Sequence, residues 1–213
     1  MSMRTRILEA TVALIRTEGL LSVTTKKVAA EAGCAEGTIF NQFGDKGALL
    51  AAVLSFGLPE TRAYHEALRD ARGRDLRTGL IMVIEALLTF YRASYPLIGS
   101  AIADHALFQH FSAAHRAAGS GPQLTLQRLR DYLSAQREAG RVNPRADLEV
   151  EALFLAGACQ YAVWLELVIG AETLPHGGES LAERLVDNRM PTLAIAPGND
   201  DDDRDAPRRP ENS

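Results

Sequence analysis

The chain has 213 residues, 46% of them hydrophobic and 23% charged, with a formal net charge of −4 and two cysteines. That length and balance allow one large or two small globular domains with a substantial core, and exclude a chain too polar to fold. Cys34 and Cys159 lack C-x-x-C spacing, which excludes a disulfide framework and a cysteine zinc site and makes a reducing compartment the natural setting.

The start, Met1-Ser2-Met3-Arg4-Thr5-Arg6, leads into an amphipathic pattern and not a solid apolar run, so no signal peptide is expected. The longest mostly apolar stretch, Leu153 to Gly170, contains Gln160 and Glu166 and suits a buried helix better than a membrane span. A cytoplasmic protein is expected. Residues 1–50 hold six Lys/Arg against five Asp/Glu, whereas residues 198–213 hold three against six. The acidity therefore sits away from the N-terminal segment, and the overall charge does not exclude DNA binding there.

Almost everything reads as helix. Ile7, Ala10, Leu14 and Ile15 recur at helical spacing from about residue 4 to Glu18, and Gly19 supplies a stop. Thr24 or Thr25 can cap a second helix through Val28, Ala29 and Ala32, which Gly33 ends. A third begins near Ala35 and carries Ile39 and Phe43. Gly44-Asp45 breaks the chain, and Asp45 is placed to cap a fourth helix through Leu49, Leu50 and Val53. Longer helices follow at roughly 60–72, 76–95, 97–117, 123–139, 147–170 and 179–190. Their breaks fall at Pro59, Gly73, Pro96, Gly119 to Pro122, Gly140 to Pro144 and Pro175 to Gly178. No alternating strand pattern appears, so the expected fold class is all-α. Residues 196–213, acidic and nearly free of apolar side chains, are expected to form a disordered tail.

The segment from Thr24 to Lys46 carries the functional signal. A helix of about eight residues, a turn opened by Gly33 and a second short helix make a helix-turn-helix. Small residues Ala29, Ala30 and Ala32 allow close crossing, and Ile39 and Phe43 fill the space between the helices. The outer face of the second helix is then free to enter a major groove.

This segment resembles the N-terminal domain of the tetracycline-repressor (TetR) family. The matching residues are Leu14-Ile15-Arg16-Thr17-Glu18-Gly19, Thr24-Thr25, Val28-Ala29-Ala30-Glu31-Ala32-Gly33-Cys34-Ala35, Gly37-Thr38-Ile39-Phe40-Asn41-Gln42-Phe43 and Lys46-Gly47-Ala48-Leu49. Phe40 stands where the family usually has Tyr, Gln42 where it has His, and Glu36 where a basic or small polar residue is common.

The resemblance implies a DNA-facing set of Thr25, Lys26, Lys27, Ala35, Glu36, Gly37, Thr38, Phe40, Asn41, Gln42 and Lys46. Thr25 and Lys46, at helix starts, suit phosphates. Gly37 permits close backbone approach, and Thr38 suits a phosphate or a thymine methyl. Asn41 and Gln42 carry amides able to pair with adenine, with the choice between them open. Glu36 repels phosphate unless it accepts from a cytosine N4.

The resemblance further implies three segments: a DNA-binding domain over 1–50, a helical ligand-binding and dimerisation domain over 51–195, and the tail. Ala152, Ala156, Gly157, Ala158 and Ala162 among larger apolar residues suit close helix approach, between two protomers or, as the alternative, in a plain intramolecular core helix. Phe154, Ala158, Tyr161, Leu181 and Leu185 are the candidate dimer contacts. Polar groups and aromatics within apolar runs suggest ligand contacts at Met82, Glu85, Tyr91, His105, Phe108, Phe111, Gln160 and Trp164. His105, His110 and His115 are spaced by five, about 140° apart on a helix, which is poor metal geometry.

No catalytic motif appears, and no metal or cofactor is expected. The expected function is that of a homodimeric repressor of transcription, binding a pseudo-palindromic operator and released by a small, largely apolar effector. An alternative is a C-terminal enzyme or carrier domain with an N-terminal interaction module.

Overall fold

Ten helices account for nearly all of the described chain, and each of the first four begins or ends where the local chemistry dictates. The computed structural model describes residues 1–170 and 180–195. Helix α1 (Met3–Glu18) is capped by Ser2, whose hydroxyl accepts from the Thr5 N–H, and ends at Gly19. Helix α2 (Thr25–Ala32) is capped by Thr24, which accepts from the Lys27 N–H, so of the two threonines the first is the cap. Gly33, at φ 64°, closes it in the left-handed conformation that favours glycine. Helix α3 (Glu36–Phe43) follows, and Asp45 caps α4 (Lys46–Ala52) by accepting from Ala48 N–H. A π-helical turn over Val53–Gly57 carries the chain on from α4.

The remaining helices are α5 (Pro59–Asp70), α6 (Leu76–Ala103), α7 (His105–Ala117), α8 (Pro122–Glu138), α9 (Leu148–Ile169) and α10 (Leu181–Leu193). Among the described residues there is no strand, only an isolated antiparallel bridge between Val142 and Ala194. The expected break at Pro175 to Gly178 and the expected tail over 196–213 lie outside the described residues.

The boundary expected at Pro96 is wrong. A single helix runs through it to Ala103, and the break falls at Asp104, which caps α7 by accepting from the Leu107 N–H. Proline removes one helical N–H and crowds the carbonyl of Arg92. Packing overrides that penalty, because Leu97 and Ala101 beyond the proline are buried in a core. Likewise α10 continues through Pro191 to Leu193, which is fully buried. Pro59 begins α5 instead of merely preceding it, as suits a first-turn proline.

Two cores form. The smaller joins Ile7, Leu8 and Val12 of α1 to Val28, Ala29, Ile39, Leu49 and Leu50, then extends past residue 50 to Val53, Leu58, Leu97, Ala101 and Phe111. The larger joins α5, α6, α8, α9 and α10 around Leu80, Ile84, Leu87, Leu129, Leu133 and Leu155. Helix α6 contributes to both, so it is one of the elements that tie the helix-turn-helix to the rest. Helices α6 and α9 are long and apolar enough to cross a membrane. One side of each is consumed by these cores.

Candidate nucleic-acid interface

The two helices of the helix-turn-helix are held by side chains from the first turn of α1, which periodicity alone does not reveal. Arg6 donates to the Ala32 carbonyl at 2.5 Å, at the C-terminal end of α2. Arg4 donates to the Gln42 carbonyl at 3.0 Å, near the end of α3, and its guanidinium stands 4.4 Å from the centre of the Phe43 ring. Cations at helix C-termini meet both the free carbonyls and the dipole. Arg4 and Arg6 thus fix the angle at which α3 is presented.

On α3 only Ile39 is fully buried, with Phe43 half-buried against the same core. At about 100° per residue, Asn41 lies some 160° from both, so it occupies the centre of the outward face. Gly37 and Thr38 flank it, and Gly37 has no protein atom near the place a Cβ would take. Gln42 sits to the side, toward α1, with its carbonyl held by Arg4. Of the two amides left open by the sequence, Asn41 is the one at the centre of the outward face. Ala35, Glu36, Phe40, Asn41 and Gln42 are exposed and Thr38 is half-buried. Phe40, at 47% exposure, presents an apolar ring to solvent.

Several expected phosphate groups are already engaged. The Thr25 hydroxyl donates to the Glu36 carboxylate at 2.6 Å, so it points at α3. Lys27 Nζ donates to Glu18 at 2.5 Å and to the Ser22 carbonyl at 3.1 Å. Lys26 is exposed. Lys46 is half-buried at the start of α4, and burial lowers its pKa while nearby Asp104 works the other way.

Behind this face, α4 is locked to α7. Gly47 is buried against the α7 backbone: a Cβ there would stand 2.5 Å from His110 Cβ and 2.7 Å from the Phe111 nitrogen. Beside it His110 Nδ1 donates to Asp45 at 2.8 Å. Burial disfavours the Asp45 carboxylate, but hydrogen bonds from Ala48, His110 and Gly47 outweigh it and hold the carboxyl below its ordinary value. This contribution is present above the carboxylate range and is lost as pH falls through it.

The candidate ligand residues are scattered. Tyr91 and Phe111 are buried in different cores, with Phe111 stacked at 6.3 Å on Phe108 and edge-on at 4.5 Å to His115. Glu85 and His105 are exposed, Met82 and Gln160 half-buried, and Trp164 lies on the outer side of α9. Glu166, a polar interruption of α9, is held at 2.7 and 2.8 Å by Arg92 of α6. None of the eight lines either of two surface clefts. One, of about 490 Å³, lies between α1 and α6 with Val12, Ile15, Leu58, Glu60, Arg92 and Leu97 in its wall. The other, of about 310 Å³, lies between α5 and α8.

Of the candidate dimer contacts, Phe154 and Tyr161 are exposed on α9 at 58% and 62%, and Ala158 is half-buried between them in sequence. Leu153, Trp164, Leu167, Val168 and Ile169 extend this exposed apolar surface, and Tyr161 stacks on Trp164 at 5.8 Å. Leu181 and Leu185 are half-buried against the larger core.

A clamped helix-turn-helix with an open outer face defines the class: a DNA-binding protein. Residues 7–53 match the family described as bacterial regulatory proteins, tetR family. An uncharacterized HTH-type transcriptional regulator, YvkB of Bacillus subtilis (strain 168), is 27% identical over 151 residues, 71% of this chain and 76% of that protein. The fold is similar to a putative TetR-family transcriptional regulator from Rhodococcus sp., with TM-score 0.66 and 19% identity over 91% of this chain and 100% of that one. It is also similar to SmeT, the repressor of the Stenotrophomonas maltophilia multidrug efflux pump SmeDEF, with TM-score 0.54 and 19% identity over 92% of both chains. Residues 7–53 thus carry the helix-turn-helix DNA-binding domain of the TetR family, and the fold of the chain is that of the solved TetR-family regulators. That family is one of regulators and not of enzymes.

Proposed function

We propose that the protein is a cytoplasmic, homodimeric, ligand-responsive repressor, and not an enzyme. Residues 1–50 read DNA in this proposal, and residues 51–195 dimerise and bind a small, largely apolar effector. The carrying observation is the outward face of α3, with Gly37 and Asn41 at its centre and Arg4 and Arg6 fixing its pose. Two copies of α3 enter successive major grooves of a pseudo-palindromic operator, roughly 34–36 Å apart. The exposed apolar surface of α9, centred on Phe154 and Tyr161, supports pairing of two protomers, since a patch of this kind on a soluble chain marks an interface. Effector binding favours an arrangement in which the spacing no longer fits, lowering operator affinity by population shift.

Selection of bound sequences from a random duplex pool tests the reading. An enriched inverted repeat is expected; a folded protein that enriches nothing over a range of salt contradicts it. With the operator in hand, Lys46→Ala weakens binding across sequences and flattens the salt dependence by about one contact per protomer. Thr38→Ala changes sequence preference instead, and unchanged affinity and preference in both variants overturn the contact assignment.

The Thr25–Glu36 contact yields a separate expectation. Glu36 places an exposed carboxylate at the start of α3 and occupies the Thr25 hydroxyl at the start of α2. Glu36→Gln removes the repulsion, so affinity for random duplex rises roughly three- to tenfold at low salt. If Glu36 instead accepts from a cytosine amine, the same variant loses operator affinity while random-duplex affinity still rises. Titrations on both duplexes separate the two roles.

A further inference from the structure

We propose that the cleft between α5 and α8 is a binding site for a small, multiply charged anion, a phosphate or polycarboxylate group. His65, Leu68 and Arg69 of α5, Arg72 of the following turn, and Arg128, Asp131 and Tyr132 of α8 line it, enclosing about 310 Å³. Three guanidiniums and one carboxylate therefore share the wall, on a chain whose overall charge is −4.

The carboxylate is not available to neutralise them. Asp131 is held by Arg130, its neighbour on α8, at 2.8 and 3.2 Å. The nearest carboxylate to Arg69, that of Glu66, stands 4.0 Å away on an exposed helix face. Among the described residues no carboxylate lies within ion-pair distance of Arg72 or Arg128. This contrasts with Arg77, Arg92 and Arg189, each of which holds a carboxylate with two nitrogens.

The cationic groups also feel one another. His65 is depressed below its ordinary value, first by burial and then by Arg128 and Arg69, and its Nε2 is shielded with no hydrogen-bond partner. Like charges gathered around one concavity repel until an anion enters. Arginine suits that anion because its planar fork meets carboxylate or phosphate oxygens with two parallel donors. A volume of about 310 Å³ is the share of roughly ten liquid waters, enough for a diphosphate or a tricarboxylate. Leu68 and the ring of Tyr132 supply an apolar wall for a short organic portion.

The site is joined to the long helix. Tyr132 is 1% exposed, and its hydroxyl stands 2.5 Å from where a Cβ on Gly79 of α6 would lie. An anion drawing α5 toward α8 therefore acts beside the helix that reaches the DNA-binding core.

Isothermal titration of the full chain with pyrophosphate, and separately with citrate, tests the site without reference to DNA. Saturable binding of at least one probe is expected, the stronger of the two telling phosphate from polycarboxylate chemistry. Arg128→Gln weakens it ~10-fold or more, and Arg72→Gln with Arg128→Gln abolishes it within the accessible range. The conservative Arg128→Lys restores part of the loss. Thermal melts without ligand confirm that the variants fold. No binding of either probe at millimolar concentration, or equal binding by the double variant, overturns the proposal.

Discussion

Replacing Arg189 by methionine destabilises the protein by about 3–5 kcal/mol at neutral pH, the cost of stranding a buried charge. Glu151 of α9 is 3% exposed, and both its oxygens accept from Arg189 of α10. The pair is asymmetric. Arg189 is the more exposed partner and can turn its guanidinium to water when Glu151 is lost, whereas Glu151 has no such escape. Glu151→Gln should therefore cost less than Arg189→Met, about 1–2 kcal/mol. Replacing both by leucine and methionine should recover most of the loss. Denaturant titrations at neutral pH check each of these statements, and an Arg189→Met cost under about 1 kcal/mol contradicts the first. The guanidinium also lies 5.1 Å from the centre of the Phe154 ring, on the exposed face of α9. In the proposed dimer, loss of Arg189 should then weaken protomer association together with folding.

That ion pair shows which parts of the molecule the sequence makes legible. Local chemistry announces local structure: Gly19, Gly33 and Gly44 mark helix ends, Asp45 marks a start, and Ile39 with Phe43 marks the inner side of α3. The order and spacing from Thr24 to Leu49 were enough to indicate the DNA-binding domain. Long-range partners leave no periodicity. Glu151 reads as one more polar residue near a helix start, and Glu166 as a polar interruption of an apolar run, yet each answers to an arginine far along the chain. Pro96 misled for a similar reason, because the packing that tolerates it comes from α1 to α4. Arg4 and Arg6 were visible only as charges before the first apolar positions. A basic residue in the first turn of α1 is poorly placed for that helix's own dipole. That mismatch is the signal that could have suggested work done on another helix.

Gly47→Ala should separate α4 from α7 and cost roughly 1–3 kcal/mol of stability, the range for forcing an atom into a packed site. The added Cβ would meet the backbone of His110 and Phe111 at 2.7–2.8 Å, and backbone in mid-helix cannot swing aside as a side-chain tip does. The displaced helix carries Asp45 and Lys46 at its start and is joined to α3 through Gly44 and Asp45 alone, so the reading helix shifts with it. Operator affinity should fall at least tenfold beyond what the lost stability explains, measured at a temperature where the variant remains folded. Gly37→Ala makes the opposite case. Nothing lies within 4 Å of its Cβ, and alanine is the better helix former, so stability should hold or rise by up to about 1 kcal/mol. Operator affinity should still fall, because the methyl group enters the space that DNA requires. The contrast distinguishes a scaffold contact from a reading contact. Equal stability in the two variants would remove the α4–α7 contact as the rigid link between the DNA-binding helices and the rest of the protein.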